Sequence, residues 1–380
     1  MIWLLGLGCV GLFGDSVEGQ ATLLMVIDRL RADQLGVYGN LPTDTPSMDS
    51  LAARGTFYTR AYTPSSAAEP ARSSVYTGRL PPEHGHRLDS QRAETAAFGS
   101  WVGALGGQPC VTKISVTKYE KNSFEEDKCV TSGTQFVVVE LSVEGASIGV
   151  LDEVIGDVSR GWEAHRGSTL GALVGLVGEA NDLRQEARFL LTDDLLRVPL
   201  ITWAPGGRTE WQDDRVVSTA RLGTILSVLQ EQPSGEAPIG VDDLAYHEST
   251  RGYDEVRARP LRGYTDREGR YVEGEFGRWY PARGEVVRGF EDPESGYPEK
   301  ARKLNALVDS IEQGQGLPSE AWSEGPDPAN LMESLLLIEK VRTAIERGRT
   351  GAAKRMLSRL KAGVGEVPVV LELEGRLQLD

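Results

Sequence analysis

Apolar residues cluster along this chain in short dense runs separated by polar, glycine-rich stretches. Residues 21–27 (ATLLMVI) are apolar apart from one threonine and lead into Asp28. Such a run predicts a strand buried on both faces, as in a parallel sheet, with a carboxylate at its C-terminal edge. Residues 135–141 (QFVVVEL) have the same character, and further strands are expected over 57–62, 169–177 and 198–203. Between them the spacing changes to three and four. Leu151, Val154, Ile155 and Val158 share one face of a helix predicted over 150–162. A helix is expected over 46–54, with Ser47 as its cap and Met48, Leu51 and Ala52 turned inward. Another is expected to open at Arg72 and to stop at Gly78. Strands alternating with helices imply an α/β domain over residues 21–265, a mainly parallel sheet sandwiched by helices. Ligands bind such sheets at the C-terminal ends of the strands, where Asp28 falls.

Beyond residue 265 the pattern changes. Residues 266–281 (DREGRYVEGEFGRWYP) are punctuated by aromatics and glycines and predict a small antiparallel element, followed by a loop at 291–298 and a linker to 326. Residues 327–380 predict a small helical region, with apolar residues at helical spacing over 331–347, 352–361 and 367–379. These helices resemble tetratricopeptide repeats, although too few copies are present to define an array by period.

At the other end, residues 1–14 form an apolar stretch too short to span a bilayer. It resembles a signal-peptide core, although no Lys or Arg precedes it, and residues 1–20 are read as a signal-like segment. An exported, periplasmic or extracellular protein is therefore expected. Gly6, Leu7, Gly8 and Cys9 are similar to a lipoprotein cleavage box, so the alternatives are simple secretion and membrane attachment through lipidation of Cys9. Cys110 and Cys129 flank a charged stretch at 118–128. Two outcomes stand for them, a disulfide in an oxidising compartment or two free thiols.

Charge narrows the partners. With 56 acidic against 41 basic residues the net charge is -15, which argues against a nucleic-acid partner, because phosphate binding needs a basic surface. Any anionic ligand would need local cations set against the global field.

Short motifs then give a family resemblance. VIDRLRAD (26–33), GVYG (36–39), TPSMD (45–49), LAARG (51–55), AYTP (61–64) and TGRLP (77–81), followed by His84 and Gly85, stand in order over residues 23–85. LLRVPL (195–200) and APGG (204–207) come later. Together they resemble the sulfatase family of the alkaline-phosphatase-like superfamily. The resemblance implies that fold, and it implies a catalytic motif Cys-x-Pro-x-Arg whose cysteine becomes formylglycine. Here the motif reads AEPAR (68–72), with Ala68 at the position of the lost cysteine. A methyl group cannot attack sulfur.

The resemblance also places Arg72 at the active-site arginine and Asp28 at the first calcium-binding carboxylate. It puts Leu176 and Val177 where an Asp-His or Asp-Asn metal pair is expected, and Glu140 where a histidine stands. Asp33 is expected to order its loop, Asp182 to lie on the surface, and Arg188 to substitute in part for a sulfate-binding residue. Ser65, Ser66, Ser73 and Ser74 are near the motif but displaced from the nucleophile position, and read as loop serines or a cap. His84 and His86 are expected in a turn, and His165 and His247 in polar connecting segments.

The sum is a sulfatase-like protein without catalysis, keeping a binding role. Its partners would be a sulfated or phosphorylated glycan at Arg72, or a protein held by the C-terminal helices. No cofactor is expected, or calcium if the site works. One alternative is an active sulfuric or phosphoric ester hydrolase with a reorganised metal site, using Asp28, Glu140 and a serine. The other is an interaction scaffold acting through the C-terminal helices.

Overall fold

A computed structural model describes residues 20–39, 44–88, 97–121, 123–178, 190–234, 243–274, 277–283, 286–287, 294–295, 297–311, 317, 319–322 and 325–379. The signal-like segment with Cys9, and Asp182 and Arg188, lie outside the described residues.

The first sheet uses strands β1 (Thr22–Arg29), β2 (Thr56–Tyr62), β3 (Cys110–Ser115), β4 (Phe136–Ser142), β5 (Leu170–Val177), β6 (Leu200–Trp203) and β7 (Trp211–Ser218). Their order across the sheet is β3-β4-β1-β5-β6-β2-β7. Only β6 runs against the rest, antiparallel to both β5 and β2. The sheet is thus mainly parallel, as the unbroken apolar runs predict. Every residue of β5 is buried, and each fully buried aliphatic side chain there is worth roughly 1.5–3 kcal/mol relative to exposure. Gly175 sits in this strand because a Cβ there would come 2.8 Å from the Leu30 carbonyl oxygen.

Helices cover both faces. They are α1 (Pro46–Ala53), α2 (Ala68–Thr77), α3 (Pro81–His84), α4 (Lys128–Thr131), α5 (Ile148–Arg166), α6 (Asp193–Leu196) and α7 (Leu222–Glu231). One face packs α1 and α5 through Met48, Leu51, Leu151, Ile155, Val158 and Trp162. The other packs α2 and α7 through Ala71, Val75, Tyr76, Ile225 and Leu226. The α5 helix follows the predicted stripe. The cap of α1 does not follow the sequence reading. Ser47 is not its cap; the backbone N–H groups of Ser47 and Met48 donate to the Asp152 carboxylate on α5, at 2.9 and 2.8 Å. That buried carboxylate satisfies donors that α1 leaves open. The α2 helix also begins at Ala68 rather than Arg72, and ends as predicted on Gly78 in the left-handed conformation, φ 73°.

A second, antiparallel sheet contains β8 (Ala245–Ser249), β9 (Leu261–Thr265), β10 (Gly269–Val272), β11 (Arg278–Arg283), β12 (Val286–Val287) and β13 (Glu294–Ser295). It starts upstream of residue 266, from which the sequence suggested an antiparallel element. Helices α8 (Arg251–Val256) and α9 (Pro298–Ser310) accompany it. The C-terminal helices α10 (Met332–Glu346), α11 (Thr350–Val364) and α12 (Pro368–Leu379) enclose a core of their own that includes Leu335, Ile338, Leu357, Leu360, Val370 and Leu373. That core also takes in Val256 and Ala258, so the helices are seated on α8 and the turn after it. Arg342 reinforces the junction through Glu255, 3.3 Å away.

Candidate functional site

Strand topology brings the motif residues to one edge. β2 is parallel to β1, β4 and β5, so α2, which follows β2, starts at the same sheet edge as the C-terminal end of β1, where Asp28 is the penultimate residue. Val26 on β1 and Val138 on β4 pack in the same apolar cluster as α2. By strand alternation Asp28 and Glu140, two residues on, face α2 as well.

The Asp28 Oδ1 accepts the Val143 backbone N–H at 3.1 Å. On its other side the register pairs Ile27 with Gly175 and Arg29 with Val177, which sets Asp28 beside Leu176. Leu176 is fully buried and Val177 nearly so. A divalent calcium ion needs six to eight oxygens, and this position offers hydrocarbon where further donors would be required. Among the described residues no group of three or more His, Cys, Asp or Glu side chains is placed to hold a metal ion. The donor set of the described residues does not fit the calcium that the resemblance implies.

Glu140 has become the centre of a charge network. Its Oε1 accepts the Tyr76 hydroxyl at 2.6 Å and lies 3.7 Å from Arg72 Nε, while its Oε2 lies 3.1 Å from Lys113 Nζ on the neighbouring strand. Arg72 also pairs with Glu69 one turn back on α2. Burial alone would favour a neutral guanidine, but Glu140 and Glu69 outweigh it and hold Arg72 more firmly protonated than usual. Burial, and then Glu140, pushes the Tyr76 hydroxyl well above its ordinary range. The arginine that the resemblance assigns to the active site is thus paired with two of the protein's own carboxylates, although its buried Nε makes no hydrogen bond among the described residues.

Ala68 is half-buried in the first turn of α2. The loop before it is pinned to β8: the Ser66 N–H donates to the Glu248 carbonyl at 3.1 Å, and the Glu248 N–H donates to the Pro64 carbonyl at 3.0 Å. The neighbouring serines are all engaged. The Ser65 Oγ accepts the Ala67 N–H at 3.2 Å, and Ser66 Oγ donates to Ser249 Oγ at 2.8 Å. Ser73 Oγ lies 2.7 Å from His86 Nδ1, and Ser74 Oγ lies 2.9 Å from His84 Nε2. Both of these serines are buried, Ser74 completely. His84 Nδ1 accepts the His86 N–H at 3.1 Å, so the proton of a neutral His84 ring sits on Nε2 and points to Ser74.

Two histidines do not lie where the sequence reading put them. His247 is in β8, fully buried between the Thr63 carbonyl and Thr265 Oγ1, each at 2.8 Å. His165 is in the last turn of α5, where Nδ1 meets the Gly161 carbonyl at 2.9 Å. Asp33 pairs with Arg31 at 2.8 Å within its loop.

Sequence reasoning missed Glu248. Its carboxylate is completely buried and takes a two-point contact from Arg87, with Nε at 3.0 Å and Nη2 at 2.5 Å, plus the Tyr246 hydroxyl at 2.9 Å. Arg87 in turn lies 4.6 Å from the centre of the Trp322 ring. Nothing in the polar string AYHES signals such burial, because the compensating cation is 161 residues away.

Residues 20–160 match the sulfatase family model. This part of the chain is similar to the sulfatase family. The N-acetylgalactosamine-6-sulfatase of Canis lupus familiaris is 31% identical over 104 residues, covering 27% of this chain and 19% of that protein. Arylsulfatase A of Bos taurus is 44% identical over 59 residues, or 16% of this chain and 12% of that one. The matched stretch therefore spans less than a fifth of these relatives' own length. A solved protein of the alkaline phosphatase superfamily from Vibrio parahaemolyticus shares the fold with a TM-score of 0.52 at 14% identity, over 77% of this chain and 86% of that one.

Proposed function

We infer that this sulfatase-like domain does not hydrolyse sulfate esters and keeps a binding role. The observation that carries the reading is the alanine at the head of α2. Residue 68 stands where the family's formylglycine would supply the attacking oxygen, and its methyl group has no atom that can form or release a sulfate ester. Arg72 supports the same reading, since the charge of a guanidinium paired with Glu69 and Glu140 is already offset before any anion arrives. The serines of the rival, hydrolytic reading are buried or bonded to neighbours. The disulfide between Cys110 and Cys129, with Cα atoms 5.5 Å apart, supports a protein exported to an oxidising compartment.

Turnover of a generic aryl sulfate by the purified protein tests the reading. No hydrolysis above buffer is expected; turnover that disappears in Arg72→Ala would defeat it.

A further inference from the structure

The chain between the second sheet and the C-terminal helices carries an aromatic side chain that reaches back to the α/β domain. Its short helical turn Ser319–Trp322 sets the Trp322 ring 4.6 Å from the Arg87 guanidinium and 5.4 Å from that of Arg262 on β9. The Arg87 side chain is 7% exposed, and that of its partner Glu248 is not exposed at all. Burial works against the charge on Arg87, but Glu248 outweighs it and keeps the guanidinium protonated. A buried ion pair is costly to break, because each partner left alone is an uncompensated charge. An aromatic face suits the task of covering it, since the ring attracts the cation and sheds water.

The pair beside Trp322 is tied to the head of α2 by two routes. Through β8, Glu248 exchanges backbone hydrogen bonds with Pro64 and Ser66, at 3.0 and 3.1 Å, in the loop just before Ala68. Through the turn after α3, Arg87 follows His86, whose Nδ1 lies 2.7 Å from Ser73 Oγ on α2. The far end of the aromatic segment is fastened too. The Arg259 N–H donates to the Pro326 carbonyl at 2.9 Å, and buried Asp327 pairs with Arg278 at 3.0 Å. The helices α10 to α12 then begin at Met332.

We propose that the segment around Trp322 is a strap through which the C-terminal helices set the order of the loop before Ala68. With the ring in place, Arg87 stays dry and holds Glu248, and Glu248 holds the loop at 64–66. With the ring withdrawn, water reaches Arg87 and competes for its two-point contact, so the loop loses a rigid strand to bond to. Displacement of the helices on α8 would reach the loop by this path, because the chain runs from Trp322 through Asp327 straight into α10. The inference concerns the order of the loop and holds whether or not residue 68 takes part in any reaction.

Amide hydrogen exchange on the full chain tests it, read by mass spectrometry on peptides that contain Ser66 and Glu248. Strand β3, at the opposite edge of the seven-stranded sheet from β7, serves as the reference. Trp322→Ala should speed exchange in both reporter peptides by about tenfold, while β3 stays within about twofold of wild type. Trp322→Leu, which keeps apolar bulk but offers no ring face, should speed them as well, and Trp322→Phe should restore much of the protection. Unchanged exchange at Ser66 in the alanine or leucine variant would overturn the proposal, because the ring would not be holding the loop. An equal rise in β3 would overturn it too, since the loss would then belong to the whole fold. If the alanine protein does not fold, the leucine variant decides by the same comparison.

Discussion

Arg72 Nε lies 3.7 Å from Glu140 Oε1, so the guanidinium at the head of α2 faces a carboxylate of the protein's own sheet. Tyr76 closes the arrangement from one turn further along α2 by donating to the same oxygen at 2.6 Å. Helix and sheet are joined here by polar groups.

That junction is a stability element. Replacing Glu140 by leucine strips Tyr76 of its acceptor and leaves Arg72 with Glu69 alone. The expected loss is about 2 kcal/mol, below the cost of breaking a fully dry ion pair because the network touches solvent through Lys113. Urea unfolding of Glu140→Leu checks it, and an unchanged midpoint would show that the network contributes nothing.

The disulfide joins the first residue of edge strand β3 to α4 across 19 positions. Closing a loop of that size restricts the unfolded chain and is worth about 3 kcal/mol. Cys110→Ser with Cys129→Ser should lower the unfolding free energy by that order, and reductant should reproduce the effect in the wild type. A protein indifferent to reductant would refute it.

Acid should weaken the fold through His84. Burial first, and then the nearby charges of His86, Arg87 and Arg79, lower its pKa from 6.5 to about 4. An unfolded histidine takes up its proton near 6.5, whereas folded His84 resists until about 4. Across that window the unfolded state binds more protons, so stability is full above about 6.5 and declines as pH falls toward 4. Buried His247 is shifted the same way, by burial and by Arg270, and adds to the slope. His84→Asn should flatten the decline in part, measured as melting temperature against pH; an identical profile would remove His84 from the account.

Calcium should bind weakly. Asp28 already accepts the Val143 amide and stands beside Leu176, leaving too few oxygens for a tight site. Calorimetric titration should reveal no micromolar affinity. Heat of binding in that range would point to donors beyond the described residues.

How much of this was legible in the sequence varies with the kind of contact. The apolar runs of β1, β4 and β5 declared their burial directly, and Gly78 declared the end of α2. The motif AEPAR places Ala68 where the resemblance expects the formylglycine cysteine, and this is read from sequence alone. What stayed hidden was polar burial satisfied from afar. Asp152 caps α1 across 105 residues, and His247 and Glu248 enter the core of β8 because Thr63, Thr265, Arg87 and Tyr246 supply their bonds. Local composition reads such strands as polar connections. Glu140 was recognised as a replacement, but its hold on both Arg72 and Lys113 depends on the pairing of β3 with β4, which no single strand reveals.

The most direct measurement is aryl sulfate hydrolysis by the wild type and by Ala68→Cys, side by side, each produced with a formylglycine-generating enzyme and assayed in excess calcium. Neither protein should turn over. On the proposed reading the wild type lacks the attacking group, and the variant would restore it beside an arginine paired with Glu69 and Glu140 and beside an Asp28 flanked by leucine. Hydrolysis by the wild type would contradict the loss of catalysis itself. Hydrolysis by the cysteine variant alone would contradict the loss of the metal site, leaving Ala68 as the single defect.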